Sequence, residues 1–169
     1  MDADVRLPVE QILTGGEDPL IEAVSDLYGQ LDGQVSAEGL HCRNCGACCH
    51  LHQFGHRLYV TTVELAYFVA GLSSPVRRPQ GGVCPYQQDN LCTVRSHRPA
   101  GCRMFFCEPT SADWQSRQYE ALRPRLIALH ERLGLEYAYV EWLAALSRLA
   151  GAVQAPPETA ALTSRRAGQ

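Results

Sequence analysis

The sequence predicts a mainly α-helical domain with a small β-hairpin, in which helices cover an irregular cysteine-rich centre. All eight cysteines lie between Cys42 and Cys107, and the segments on either side carry apolar residues at helical spacing. Within the cysteine region, two short β-prone segments flank a Gln-Gln-Asp-Asn turn. We therefore expect one domain over about residues 5–150 and a disordered tail, rich in Ala, Pro, Thr and Ser, over residues 151–169.

The first helix is predicted over residues 19–31. Asp18 and Pro19 are typical of an N-cap followed by a first helical residue. The apolar residues that then share one helix face are Leu20, Val24, Leu27 and Leu31. Gly33 and Gly39 are expected to loosen the chain before it reaches the first cysteines.

A strand and a second helix are predicted next. Residues 56–60 favour a short strand. Thr61 and Glu64 then form a capping box, which predicts a helix that runs to Val69 and ends at Gly71. The hairpin follows further on, where residues 84–86 and 91–94 lie on either side of the turn.

Two amphipathic helices are predicted after the last cysteine. The first covers residues 111–133, and its apolar residues at helical spacing are Trp114, Tyr119, Leu122, Leu126 and Leu129. Pro124 is expected to kink this helix or to split it in two, and Gly134 to end it. The second covers residues 139–149, with an apolar stripe formed by Val140, Leu143, Leu146 and Leu149.

Composition and charge exclude several classes of protein. A chain of 169 residues with 46% hydrophobic and 20% charged residues has the composition of a globular domain. Its net charge of −3 gives no reason to expect a nucleic-acid partner. No apolar run reaches the roughly 18 residues of a membrane-spanning helix, and the acidic residues 1–4 do not resemble a secretory signal. We therefore expect a cytoplasmic protein without a membrane partner.

The first cysteine cluster has the pattern C-x-x-C-x-x-C-C and consists of Cys42, Cys45, Cys48 and Cys49. The C-x-x-C step lets successive thiolates turn toward one ion while backbone N–H groups offset their charge. A bacterial ferredoxin loop also takes three cysteines at two equal steps, with a remote cysteine that precedes proline, as Cys84 precedes Pro85 here. This spacing indicates an iron–sulfur loop more than a pair of zinc knuckles.

The remaining cysteines, Cys84, Cys92, Cys102 and Cys107, do not have zinc-knuckle spacings. The fold has to bring them together, so we expect the two halves to face each other around one centre or two neighbouring ones. Two four-cysteine zinc sites are the main alternative to an iron–sulfur cluster. A disulfide scaffold is disfavoured, because the adjacent Cys48 and Cys49 would form only a strained vicinal bridge.

Charged and aromatic residues surround the cysteines. Four arginines lie in segments where they would offset thiolate charge or bind an anionic group: Arg43, Arg95, Arg98 and Arg103. Four histidines near the first cluster are either exposed loop residues or additional ligands: His41, His50, His52 and His56. Phe105 and Phe106 are expected to shield the centre from water.

The cysteine pattern also resembles a known family. The C-x-x-C-x-x-C-C cluster, Cys-Pro, a cysteine before a short strand, and Arg-Pro-x-x-Cys-Arg-x-Phe occur in the order of the YkgJ-like cysteine-cluster proteins, a zinc- or iron-chelating domain. The resemblance spans residues 42–107. It implies site roles for Cys42, Cys45, Cys48, Cys49, Cys84, Cys92, Cys102, Arg98 and Arg103, while Cys107 lies where that family's pattern varies. Related proteins are labelled iron–sulfur or oxidoreductase proteins, and the cluster also occurs in enzymes similar to flagellin lysine N-methylase.

The sequence therefore predicts a protein that holds a metal centre, most simply a 4Fe-4S cluster used for electron transfer or a redox modification. Whether it is an enzyme stays open, between an iron–sulfur oxidoreductase and a component of a protein-modifying enzyme. The alternatives are an interaction module with structural zinc and a protein that stores or delivers metal. The sequence has no phosphate-binding glycine loop and no H-E-x-x-H motif, so nothing in it supports a nucleotide-dependent enzyme or a zinc protease of the H-E-x-x-H class.

Overall fold

The computed structural model describes residues 6–43, 45–107 and 111–154, with the side chains of residues 153 and 154 left aside. The described chain is mainly helical with two small antiparallel sheets, which confirms the predicted fold class. Its helices are α1 Val9–Thr14, α2 Asp18–Ala37, α3 Thr62–Ala70, α4 Ala100–Met104, α5 Ala112–Leu133 and α6 Trp142–Gln154. Its strands are β1 Tyr59–Thr61, β2 Gln87–Gln88, β3 Leu91–Cys92 and β4 Tyr139–Glu141, and two 3₁₀ turns cover Ala47–Cys49 and Arg95–His97.

Helix α2 is longer than predicted. It continues through Gly33 to Ala37, and the chain turns only at Gly39, which has a φ of 73°. An exposed glycine inside a helix costs roughly 1 kcal/mol, which is too little to stop a helix that also packs through Val35. The expectation that Gly33 loosens the chain was therefore wrong.

Helix α5 passes through Pro124 without dividing. Pro124 and Glu120, whose carbonyl loses its helical hydrogen bond to Pro124, are both exposed residues, so the missing bond lies on the solvent side of the helix. The opposite face is buried through Leu122, Leu126 and Leu129, which holds both halves of the helix in place. The expected split was wrong, whereas the predicted end at Gly134 is confirmed by its left-handed backbone.

Helix α3 begins and ends as its capping residues predict. The box between Thr61 and Glu64 is present, and Gly71 follows the last turn. A hairpin is present at the predicted place, but its first strand is Gln87–Gln88, inside the predicted four-residue turn, and not residues 84–86. Gln87 pairs with Cys92, and Asp89 and Asn90 adopt positive φ in the two-residue turn.

A second sheet joins the middle of the chain to its C-terminal part. Its strand β1 overlaps the strand predicted over residues 56–60, whereas its partner β4 was not predicted. Strand β1 pairs with β4 so that Val60 lies opposite Val140. The helix predicted from residue 139 accordingly begins at Trp142, since the preceding three residues belong to the strand. Helix α6 continues to Gln154, so residues 151–154 are helical and the expectation of a disordered tail was wrong for them. The rest of the predicted tail, residues 155–169, lies outside the described residues.

Two apolar clusters form the core and meet at α3. One cluster packs α6, both strands of the second sheet and Tyr86 against Leu65 and Phe68 of α3. The other packs α2, α4 and α5 against the opposite face of α3, through Val63 and Ala66. Helix α3 is thus buried on both faces, and the cysteine-bearing segments lie beside it. No helix in the described part of the chain is long and apolar enough to cross a membrane.

Candidate metal centre

Six of the eight cysteines line one small cavity of about 60 Å³. They come from both halves of the cysteine region and comprise Cys42, Cys48, Cys49, Cys84, Cys92 and Cys102. Apolar side chains complete the wall, including those of Leu51, Leu58, Phe68 and Trp142. The structure thus brings the two halves face to face, as the sequence predicts.

A tight turn at Gly46 folds the first half of the cysteine region against the hairpin. Gly46 has a φ of 70° and is followed by the 3₁₀ turn that carries Cys48 and Cys49. A Cβ atom at Gly46 would lie 2.9 Å from the Cα of Asn90, so the loop and the hairpin turn approach each other at this glycine. The backbone N–H of Cys84 donates to the carbonyl of Cys49 over 2.8 Å, which joins the two halves directly.

Helix α4 brings Cys102 to the cavity, and buried polar groups fix this helix. The carboxylate of Glu64 accepts hydrogen bonds from the backbone N–H of Ala100 at 3.0 Å and from the Tyr28 hydroxyl at 3.2 Å. Its other oxygen accepts from the backbone N–H of Thr61 at 2.9 Å. Glu64 therefore ties the start of α4 to α2 and α3.

Arg103 fixes the segment before α4 and is not among the described residues that line the thiol cavity. Its guanidinium donates to Asp32 over 2.6 Å and to the carbonyls of Ser96 and Arg98, and it stacks 4.3 Å above the ring of Tyr28. The buried Arg103 thus positions the chain around Arg98, and its predicted role at the cofactor stays a prediction.

Arg95 and Arg98 supply positive charge at the cavity wall. Both line it, and Arg95 donates to the sulfur of Cys42 at 4.0 Å. Burial lowers the pKa of Arg98, and the neighbouring charge of Arg95 lowers it further, while the nearby Cys102 opposes the shift. Arg98 therefore faces the position where thiolate charge would accumulate, as predicted. Arg43 is exposed and is not among the described residues that line the cavity.

Three thiols form a hydrogen-bonded chain at the centre of the site. Cys49 shares its proton with Cys48 on one side and Cys84 on the other, and this donation raises the pKa of Cys49. The same bonds lower the pKa of Cys48 to about 6 and that of Cys84 to about 7. The indole N–H of Trp142 also donates to the sulfur of Cys84 at 3.5 Å. Cys48 and Cys84 are thus stabilised as thiolates, the form that binds metal.

Burial has the opposite effect on the other two half-buried thiols. It raises the pKa of Cys102 and of Cys92, because a thiolate in an apolar wall loses its hydration. These two thiols keep their protons until a cation offsets the charge, so their contribution to a metal centre would include proton release.

The thiols share the cavity but do not converge on one point. Within the described residues, no three or more Cys, His, Asp or Glu side chains are grouped so as to hold a metal ion. The donor set fits a thiolate-preferring centre in kind and number, because six sulfur donors share an apolar cavity with two guanidinium groups. Holding a metal therefore requires these side chains to turn inward together.

Cys45 and Cys107 lie outside the cavity. Both are exposed, and they contact each other. Burial raises the pKa of Cys107, and the neighbouring Cys45 raises it further. Their sequence spacing gave no signal for this separation, since Cys45 occupies the middle of the C-x-x-C-x-x-C run.

The predicted histidine and phenylalanine neighbours have other positions. His56 forms a 3.0 Å hydrogen bond with the carbonyl of Cys48, yet no histidine is among the described residues that line the thiol cavity. Phe106 is buried in the core beside α4, and Phe105 is 40% exposed. The aromatic side chains that line the thiol cavity are those of Phe68 and Trp142, and the shielding predicted for Phe105 and Phe106 stays a prediction.

No family model, curated protein or solved structure matches the chain. The resemblance to the YkgJ-like family accordingly stays a prediction.

Proposed function

We propose that this protein holds a thiolate-ligated metal centre, a 4Fe-4S cluster used for electron transfer or a redox modification. The observation that carries the proposal is the single cavity lined by six thiols from both halves of the cysteine region. Cys48, Cys49 and Cys84 would provide the first ligands, with the fourth from Cys42, Cys92 or Cys102. When bound, such a cluster would supply one-electron chemistry.

The surroundings of the cavity support a charged centre. Four thiolates around a core of about +2 leave a net charge of about −2, which a purely apolar cavity disfavours. Arg95 and Arg98 line the same cavity and offset this charge. The indole of Trp142 donates to the sulfur of Cys84, and hydrogen bonds to ligand sulfurs are a means of tuning the reduction potential.

A structural zinc site is the second candidate, and the chain of three thiols favours it. Cys49 interacts with both Cys48 and Cys84, and once these thiols turn inward one further thiol would complete tetrahedral coordination. Two four-cysteine sites would need all eight thiols, and Cys45 and Cys107 lie outside the cavity. The exposed positions of those two thiols favour the third candidate, a protein that stores or delivers metal.

Metal analysis of protein purified without oxygen tests the proposal. We expect near-stoichiometric iron and sulfide, with a visible absorption that bleaches reversibly on reduction. Cys49→Ser should lose the metal, whereas the matched control Cys107→Ser should keep it, since Cys107 lies outside the cavity. Colourless protein with bound zinc would favour the structural site. Protein that binds neither metal, or that loses it equally in both variants, would refute the assignment of the cavity.

A further inference from the structure

A second, larger cavity opens beside the thiol cavity. Its volume is about 390 Å³, within the range of roughly 300–1,000 Å³ found for small-molecule sites. Four side chains line both cavities and form a shared wall: Cys48, Leu51, Leu58 and Cys102. A molecule in the larger cavity would therefore lie directly against two of the thiols.

Aromatic rings form much of the remaining wall. Tyr59 and Tyr139 stack with their centroids 5.2 Å apart, and His56 and Phe105 stack at 5.3 Å. The hydroxyl of Tyr119 donates to that of Tyr139. Phe105 and Tyr139 are 40% and 37% exposed, whereas Phe68, Tyr86 and Trp142 are fully packed in the core. Flat apolar surface is thus left available in this cavity, which a further planar ring can cover by stacking.

The charged and polar groups of the cavity narrow the class of ligand. Arg57 and Glu120 line it with opposite charges, so the cavity does not select strongly for an anion or a cation. The side-chain amide of Gln115 donates to the carbonyl of Phe106 and to the hydroxyl of Ser111, which directs its donors away and leaves its oxygen as an acceptor. The lining therefore suits a neutral ring system that carries a hydrogen-bond donor.

We propose that this cavity binds a small planar aromatic molecule of two or three fused rings, held against the wall that contains Cys48 and Cys102. Binding itself requires no metal. Its use as the site of a reactant rests on the proposed function, because only a metal centre behind the shared wall would give the bound ring a redox partner.

Fluorescence titration with 2-naphthol and with lumichrome tests the inference, on full-length protein whose metal content is measured in the same sample. We expect saturable binding of one ring per chain. The matched competitor is decahydro-2-naphthol, which has the same carbon skeleton and hydroxyl without a planar aromatic ring, and it should displace 2-naphthol poorly. Equal competition by the saturated compound would overturn the assignment of an aromatic site, as would a lack of saturable binding by both probes.

Two variants and a control locate the binding. Tyr139→Leu and Phe105→Leu should each weaken binding by roughly three- to tenfold through the loss of stacking. Tyr137→Leu removes a neighbouring tyrosine that is 43% exposed and is not among the described residues lining the cavity, so it should leave binding unchanged. If neither cavity variant weakens binding, the assignment is wrong. Protein that holds no metal after purification without oxygen and still binds the ring would sustain this inference and count against the proposed function. Metal-loaded protein that binds no ring would overturn this inference and leave the proposed function standing.

Discussion

Replacing Gly46 with alanine should separate the two halves of the thiol cavity. Gly46 has a φ of 70°, and an added Cβ would meet the Cα of Asn90 at 2.9 Å and the side-chain nitrogen of Gln87 at 3.0 Å. Backbone at Asn90 cannot rotate away as a flexible side chain can. The first cysteine loop and the hairpin that carries Cys92 must therefore move apart.

The size of the effect follows from two contributions. Left-handed backbone costs a non-glycine residue roughly 1–2 kcal/mol, and the stiffer unfolded chain of alanine returns roughly 0.4–1 kcal/mol. Overpacking against the hairpin adds roughly 1–3 kcal/mol. We expect Gly46→Ala to lower the free energy of unfolding by about 1–5 kcal/mol in total, with a central value of about 3 kcal/mol.

Gly39→Ala provides a matched control. Gly39 has a φ of 73°, but nothing lies within 4 Å of an added Cβ. This variant should therefore lose only about 1 kcal/mol, the strain of the left-handed backbone alone. Urea unfolding measures both values, and metal content measures the site: Gly46→Ala should hold less iron or zinc, and Gly39→Ala a full complement. Equal destabilisation with equal metal content would refute the reasoning that the glycine holds the two halves together.

Three further outcomes follow from the buried polar groups. Glu64→Gln should lower the free energy of unfolding by roughly 1–3 kcal/mol, because an amide has only one acceptor oxygen for the two backbone N–H groups of Thr61 and Ala100. An unchanged urea unfolding curve would contradict this prediction. Burial lowers the pKa of His130, whose Nε2 accepts from Val63, so wild-type stability should decline as the pH falls below about 6.5. His130→Gln should flatten that decline, and a parallel pH profile would show that other groups cause it. In metal-loaded protein, Trp142→Phe removes the donor to Cys84 and should lower the reduction potential in voltammetry, so an unchanged potential would argue against ligation by Cys84.

Features specified by neighbouring residues were predicted correctly. The capping box of Thr61 and Glu64, the left-handed end at Gly134 and the hairpin turn at Asp89 and Asn90 each depend on a few consecutive residues. Gly33 was expected to loosen the chain and Pro124 to kink or split its helix, yet both helices continue past these residues. Both residues are exposed, and the opposite, buried face holds each helix together. Strand β4 escaped prediction since three residues carry too little periodicity to distinguish a strand from a helix start.

The cysteine pattern by itself determined that a thiol-rich site forms within residues 42–107, and it indicated a metal centre. The tertiary structure alone decided which thiols meet. Cys45 is regularly spaced in sequence yet exposed, while Cys102 reaches the cavity because Glu64 fixes the start of α4. Phe68 and Trp142 join the wall from distant helices. The spacing of residues along the chain determines which side chains can meet only when those residues are a few positions apart. A cavity assembled from separate segments depends instead on how the whole core packs.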